Sequence, residues 1–126
     1  MKTQPDCDNF WLMRIALAQI SPHLGNLEQN LNLHLYFIEK ARKKKARLVV
    51  FPELSLTGYT LMDLVQDVAI KPDKASIFKQ VKALSRQIDI VVGFVEEKEA
   101  GAFYNASAYF SAGKILHLHR KVFLPT

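Results

Sequence analysis

The sequence predicts an α/β domain with a mixed sheet, and three observations lead to that class. Short apolar runs of strand length alternate with stretches of helical period over residues 14–95. Two further strand-like runs then follow each other across a tight-turn signal, without a helix between them. Alternation is typical of parallel strands joined by helices, whereas a tight turn joins antiparallel strands. Because no internal repeat or linker divides residues 1–126, we expect one domain, with a polar lead over residues 1–12.

The first half of the chain is predicted to hold two strands around one helix. Residues 14–20 (RIALAQI) form a nearly continuous apolar run, which indicates a buried strand. Asn26 is the predicted N-cap of the helix, with Gln29 at the capping-box position. Residues 48–51 (LVVF) predict a second buried strand, which ends where Pro52 interrupts regular pairing. The helix has an apolar stripe at helical spacing, formed by Leu27, Leu31, Leu35 and Ile38.

The second half continues the alternation and then changes it. Residues 53–69 mix turn formers with apolar residues, which predicts a loop followed by a short helical turn. Residues 73–87 predict an amphipathic helix with Ile77, Val81 and Leu84 on one face, and residues 88–95 predict a third strand. Residues 103–110 and 115–120 form a hairpin, with Gly113 at a turn position that needs a positive φ.

Charge and cysteine content exclude several classes of function. The net charge is +5, and it comes from residues 39–47, where six lysines and arginines face one glutamate. This run has no interleaved aromatic residues, so we interpret it as a solvated helix end rather than a nucleic-acid site. One cysteine, Cys7, permits no intramolecular disulfide and fits a reducing cytoplasm. No segment has the length and hydropathy of a membrane span or a signal peptide.

Glu53 is the first residue that indicates a site, because it directly follows the predicted strand at Phe51 and Pro52. Open α/β sheets place binding crevices at the carboxyl ends of strands, although isolated acids there are also common surface residues. Residues 51–59 (FPELSLTGY) resemble the signature around the general-base glutamate of the nitrilase superfamily of carbon–nitrogen hydrolases. Residues 14–20 resemble its first strand, and residues 119–125 (HRKVFLP) resemble the segment around its catalytic lysine. The three segments occur in the family's order.

This resemblance implies both a fold and a chemistry. The fold is part of an α-β-β-α four-layer sandwich, and the activity is amidase-type hydrolysis of a non-peptide carboxamide by a Cys-Glu-Lys triad, without a cofactor. By resemblance, Glu53 is the general base, whose efficiency depends on a pKa shifted toward the working pH by burial and neighbours. Lys121 is then the donor to the oxyanion, rather than an exposed edge-strand lysine. Tyr59 is a candidate substrate-binding residue, the alternative being a core tyrosine with a satisfied hydroxyl.

The family's nucleophile is not evident in the sequence. Cys7 precedes the first strand and does not occupy the family's position for the nucleophilic cysteine. We therefore expect the chain to be roughly the first half of a hydrolase and to be inactive by itself. The alternative is that the short chain is the whole product, a non-catalytic interaction or scaffolding remnant. Half of a sandwich leaves an apolar face uncovered, so we expect self-association as a homo-oligomer.

Three smaller features complete the sequence-based expectations. Residues 61–65 (LMDLV) resemble the variant in glutaminase domains of glutamine-dependent NAD synthetases, which favours a small-molecule carboxamide over a nitrile as substrate. His117 and His119 have the spacing of two metal ligands, but no third ligand is evident, so no metal site is predicted. The triplet that begins at Asn105 fits a glycosylation acceptor, and we interpret it as a chance match within a strand.

Overall fold

The computed structural model describes residues 12–59 and 65–121, which form one mixed sheet and three helices. The strands follow the order β1-β2-β3-β4-β5 across the sheet. Pairing is parallel from β1 to β3 and antiparallel from β3 to β5, so the predicted α/β class and mixed sheet are confirmed. The elements are β1 (Ile15–Leu17), α1 (Leu27–Lys43), β2 (Leu48–Val50), α2 (Val65–Val68), α3 (Ile77–Leu84), β3 (Asp89–Glu99), β4 (Ala102–Ser111) and β5 (Lys114–Arg120).

The core lies between one face of the sheet and the helices α1 and α3. Phe78 of α3 is fully buried and meets Phe94 and Phe110 edge to face, with ring centroids 5.2 Å apart in both pairs. Val49 of β2 and Ile38 of α1 belong to the same cluster. Burying these side chains stabilises the fold by about 1.5–3 kcal/mol each relative to leaving them exposed. The predicted helix over residues 73–87 is therefore confirmed in place, with shorter bounds.

Helix α1 begins where the sequence predicts. The Asn26 side chain accepts a hydrogen bond from the Gln29 N–H at 3.0 Å, which satisfies one free donor of the first turn. The Asn26 N–H donates to the His23 carbonyl. At the other end, Lys40, Arg42 and Lys43 occupy the last turn, where cations complement the helix dipole.

The buried face of α1 differs from the predicted leucine stripe. The residues that α1 buries are Asn30, His34, Ile38 and Ala41, while Leu27 and Leu31 are only partly buried. Leu35, also predicted in the stripe, is half-buried. Asn30 and His34 replace the expected leucines because both side chains bond to the chain that follows β2.

The prediction of a buried first strand over residues 14–20 was wrong in both length and burial. Only Ile15–Leu17 pairs, at the edge of the described sheet, and Ile15 is 49% and Leu17 73% exposed. Ala16 packs against the core, so β1 buries one of its two faces. An apolar run predicts a strand, but which of its faces is covered depends on elements elsewhere.

The turns follow the predicted backbone chemistry. Gly113 has a φ of 84° in the β4–β5 turn, as expected, and its neighbour Ala112 also has a positive φ of 53°. The loop and helical turn predicted over residues 53–69 are confirmed as a loop and α2, with residues 60–64 outside the described part. Among the described helices, none is long and apolar enough to cross a membrane.

Gly93 of β3 allows the loop after β2 to cross the sheet. A Cβ at this position would lie 2.5 Å from the Leu54 nitrogen and 2.7 Å from the Pro52 carbonyl oxygen. Both neighbours are backbone atoms, so neither moves without displacing the loop. The residue between them in the chain is Glu53.

We expect Gly93→Ala to lower the free energy of unfolding by about 3 kcal/mol, at the upper end of what overpacking costs. Gly101→Ala is the matched control, because Gly101 has a φ of 81° and no atom within 4 Å of an added Cβ. It should cost about 1 kcal/mol, for the left-handed backbone alone. Urea unfolding of both variants measures the difference, and equal losses would contradict the steric role of Gly93.

Candidate active site

Glu53 lies just beyond the carboxyl end of β2, where the sequence predicts a crevice. The Phe51 N–H still donates to the Val91 carbonyl of β3, so the chain remains attached to the sheet up to that residue. The chain then turns at Leu54, which has a φ of 53°. Residues 52–55 form a short arch that is attached to β3 on both sides, by the Phe51 N–H to Val91 and by the Leu56 N–H to Gly93. Glu53 lies on this arch, and its side chain is 40% exposed.

Lys121 reaches Glu53 from the end of β5, although 68 residues separate them in the sequence. The Lys121 backbone N–H donates to the Asn105 carbonyl at 2.9 Å, which continues the β4–β5 ladder past Arg120. Its Nζ lies 3.0 Å from Oε1 of Glu53. The two residues predicted by resemblance as base and oxyanion donor are therefore brought together.

The neighbouring residue, Arg120, points to the opposite face and fixes the strand end. Its guanidinium forms a two-pronged ion pair with Glu96, at 2.5 and 2.8 Å. The Glu96 side chain is only 3% exposed, and the two parallel hydrogen bonds fix the orientation of the guanidinium. Because successive side chains of a strand alternate between faces, anchoring Arg120 directs Lys121 toward Glu53.

Two further side chains donate hydrogen bonds to the Glu53 carboxylate. The Tyr59 hydroxyl donates to Oε2 at 2.6 Å, and Asn105 Nδ2 donates to Oε1 at 2.7 Å. Tyr59 is 68% exposed, so the alternative of a core tyrosine was wrong. The sequence interpretation did not identify Asn105 as a site residue. The signal was an amide side chain within a predicted strand, next to the strand that leads to the lysine.

These donors determine the electrostatics of the carboxylate. The hydrogen bond from Tyr59 contributes most, followed by those from Lys121 and Asn105, and together they lower the pKa of Glu53 to about 2. The same contact raises the pKa of the Tyr59 hydroxyl. The sequence-based expectation was a Glu53 pKa shifted toward the working pH. The shift found here runs the other way, because three donors outweigh a modest desolvation.

The carboxylate opens onto a cleft of about 310 Å³. Its lining combines polar groups from β4 and β5 with the backbone of the arch, namely Phe51, Pro52, Glu53, Gly93, Asn105, Ala106, Ser107, His119 and Lys121. A larger cleft, of about 620 Å³, is lined by Arg14 and the basic residues after α1. It contains cations but no carboxylate, so we assign the site to the cleft at Glu53.

The histidine pair on β5 lies partly at this cleft, and other sequence-based features lie outside the described residues. His119 lines it and stacks loosely on His117, with ring centroids 6.3 Å apart. Within residues 12–59 and 65–121, no group of three or more potential ligand side chains is arranged to hold a metal ion. Cys7, the motif at residues 61–64 and residues 122–125 of the lysine motif lie outside the described residues.

We expect Tyr59→Phe to raise the pKa of Glu53 above about 2, toward its ordinary value of 4.5, because the variant removes the donor that lowers it most. Tyr36→Phe is the matched control, since Tyr36 is 61% exposed on α1 and makes no contact with Glu53. NMR titration of the side-chain carboxyl carbons measures both. An unchanged Glu53 pKa in Tyr59→Phe would mean that the Tyr59 contact does not form in solution.

Comparison with known proteins supports one family. The family model described as carbon-nitrogen hydrolase matches residues 14–126. Glutamine-dependent NAD(+) synthetase of Acinetobacter baylyi is 38% identical over 112 residues, which are 89% of this chain and 20% of that protein. The Thermotoga maritima synthetase is 33% identical over 115 residues, again 20% of its length. The chain thus spans a fifth of the length of these relatives.

Solved structures agree with the sequence relatives. The glutamine-dependent NAD+ synthetase from Acinetobacter baumannii, in complex with ADP, aligns with a TM-score of 0.72 at 34% identity, over 90% of this chain and 21% of that one. An N-terminal amidase aligns with a TM-score of 0.76 over 90% of this chain and 28% of its own; at 24% identity it shows the fold alone. From the family match and the synthetase relatives together, we conclude that this chain belongs to the carbon-nitrogen hydrolase family.

Proposed function

We propose that this chain supplies the glutamate and lysine of an amidase-type site that hydrolyses a primary carboxamide with a cysteine nucleophile. The convergence of Glu53 and Lys121 at 3.0 Å, from positions 68 residues apart, is the observation that carries the proposal. Within the 126 residues the only thiol is Cys7, before the first strand. We therefore infer that the nucleophile comes from polypeptide outside this sequence, and that the chain alone is inactive.

The proposed reaction has two stages. Glu53 accepts the thiol proton, the thiolate attacks the amide carbonyl, and Lys121 donates a hydrogen bond to the oxyanion. The C–N bond then breaks, the nitrogen takes up a proton from Glu53 and leaves as ammonia, and a thioester remains. Water, deprotonated by Glu53, hydrolyses the thioester to a carboxylic acid and restores the thiol.

The low pKa of Glu53 fits this reaction if the hydrogen bonds rearrange during it. Lys121 Nζ donates to Oε1 of Glu53, and in the proposed reaction it turns toward the oxyanion when the thiolate attacks. That movement removes one of the donors that lower the pKa of the carboxylate. Glu53 then becomes a stronger base at the stage when a proton has to be accepted.

For the substrate we propose the side-chain carboxamide of glutamine or a closely similar primary amide. Two observations support this class. The synthetase relatives are named as glutamine-dependent, and this chain is 38% and 33% identical to two of them. The cleft at Glu53 is also small, at about 310 Å³, and it contains amide, hydroxyl and imidazole groups from Asn105, Ser107 and His119.

We expect Glu53→Gln to abolish ammonia release from glutamine, because the amide cannot accept a proton; the loss should be at least about 100-fold. Glu99→Gln is the matched control, since Glu99 is exposed at the end of β3 and does not line the cleft. The assay uses the natively expressed gene product that contains this chain. Normal ammonia release by Glu53→Gln would remove Glu53 from the mechanism.

The intact mass of that gene product distinguishes the hydrolase from a scaffolding remnant. A mass well above 14.4 kDa, with a cysteine in the additional residues, is the result expected for the hydrolase. A mass of 14.4 kDa would mean that Glu53 and Lys121 lack a nucleophile, and the scaffolding function would then be favoured.

We also propose that the 126-residue chain associates with itself through the sheet face opposite the helices. Leu17, Val50 and Val91 form one row across this face, and Leu17 is 73% exposed. Val50 and Val91 are half-buried, so the exposed part of the row is centred on Leu17, and exposed apolar surface of this kind favours association.

Leu17→Lys should therefore shift the chain toward monomer at a given concentration. Leu24→Lys is the matched control, because Leu24 is 52% exposed in the turn before α1 rather than on this face. Sedimentation velocity over a concentration series measures the change. A wild-type chain that stays monomeric throughout the series would contradict the proposal.

A further inference from the structure

His34 is a buried titratable residue that the proposed reaction does not use. It lies on α1 with no exposed surface, and its ring stacks on Phe51 with centroids 4.2 Å apart. Burial lowers its pKa to about 4, so the ring is neutral at physiological pH. A polar ring on the core side of a helix has to find hydrogen-bond partners, and those partners show what it does.

The hydrogen bonds of His34 have one consistent assignment. Nδ1 lies 2.6 Å from the Asn30 carbonyl oxygen, which only accepts, so Nδ1 carries the proton. Nε2 is then an acceptor, and it receives the Ser55 hydroxyl proton over 2.8 Å. The Ser55 Oγ in turn accepts from the Gly93 N–H at 3.2 Å. This chain of bonds leads from α1 through the loop to β3.

Ser55 and Leu56 together form the two hydrogen bonds to Gly93 of β3 that a paired strand would otherwise form. The Gly93 N–H is bound by the Ser55 hydroxyl, and the Gly93 carbonyl accepts from the Leu56 N–H at 2.9 Å. Before the arch, the Phe51 N–H binds the Val91 carbonyl of the same strand. Both ends of the arch that carries Glu53 are therefore attached to β3, two residues apart.

Asn30 gives the arch a second attachment to α1. Its Nδ2 donates to the Leu56 carbonyl at 2.8 Å and to the His23 carbonyl at 2.7 Å, and its Oδ1 accepts from the His23 N–H. Asn30, His34 and Ser55 are all fully buried. Among the described residues, no buried side-chain polar atom lacks a partner, so this network is complete.

We propose that His34 and Ser55 are positioning residues for Glu53, which fix the arch so that the carboxylate meets Tyr59, Asn105 and Lys121 together. The catalytic importance of this positioning rests on the proposed function. The positioning itself is tested through the pKa of Glu53, without measuring turnover. Ser55 is two residues from Glu53, and its hydroxyl connects the arch to both α1 and β3. Loss of that connection lets the arch move and separates the carboxylate from its three donors.

The test is NMR titration of Glu53 in the 126-residue chain with Ser55→Ala and, separately, His34→Leu. Both should raise the Glu53 pKa from about 2 toward 4.5, because the donors are no longer held in place. In His34→Leu the Ser55 hydroxyl has another acceptor, the Gly93 carbonyl 3.4 Å away, so this variant leaves no buried donor unpaired. If Ser55→Ala does not fold, the His34→Leu variant is sufficient to test the proposal.

Thr57→Val is the matched control within the same loop. It removes a buried hydroxyl whose bond goes to the adjacent Gly58 carbonyl rather than to α1 or β3. It should lower stability without changing the Glu53 pKa. A Glu53 pKa that stays at the wild-type value in a folded Ser55→Ala or His34→Leu chain would overturn the role of that residue.

Activity of the natively expressed gene product separates this inference from the proposed function. If both hold, His34→Leu lowers kcat with little change in KM, because the base is displaced while the rest of the cleft remains. If Glu53→Gln keeps full turnover while His34→Leu raises the Glu53 pKa, the proposed function fails and the positioning role stands.

Discussion

The attachment of the Glu53 arch to Gly93 is the constraint on which the rest of the site depends. A parallel strand such as β2 would ordinarily carry its chain straight past the sheet edge. Here the chain leaves β3 after Phe51 and returns at Ser55, and it crosses over a residue without a side chain. The crossing places the Glu53 carboxylate within hydrogen-bond distance of Asn105 and Lys121. A longer loop would lose more conformational entropy for the same placement.

The mixed topology explains why the acid and the cation meet. In the parallel half of the sheet, Glu53 follows the carboxyl end of β2. In the antiparallel half, Asn105 lies on β4 and Lys121 directly follows the adjacent strand β5. The β4–β5 ladder sets the spacing between the amide and the ammonium group, and the ion pair of Arg120 with the buried Glu96 fixes the strand end from which Lys121 extends. The contacts of Asn105 and Lys121 with the carboxylate therefore follow from strand pairing, whereas Tyr59 reaches it from the loop that carries Glu53.

Much of this arrangement is readable in the sequence, and the exceptions have physical causes. Strand and helix order, the Asn26 cap and Gly113 follow from local propensity, which acts over a few residues. The burial of Asn30 and His34 does not, because hydropathy ranks them as surface residues and their partners Leu56 and Ser55 are more than 20 residues away in the sequence. The exposure of Leu17 was missed for a similar reason: an apolar strand does not reveal whether another layer covers it. The prediction that Glu53 and Lys121 belong to one site came from the family resemblance rather than from periodicity.

The apolar row at Leu17 and the cleft at Glu53 lie on the same face of the sheet, so a layer that covered the row would also affect the pKa of Glu53. Leu17, Val50 and Val91 lie on the same face as Gly93, Ser107 and His119, which line the cleft. A layer that packed on the apolar row would extend toward a carboxylate that is now 40% exposed. Excluding water there raises the pKa of a carboxylate, which opposes the effect of its three donors. The same covering that removes Leu17 from water would thus bring Glu53 closer to the proton affinity that a general base requires.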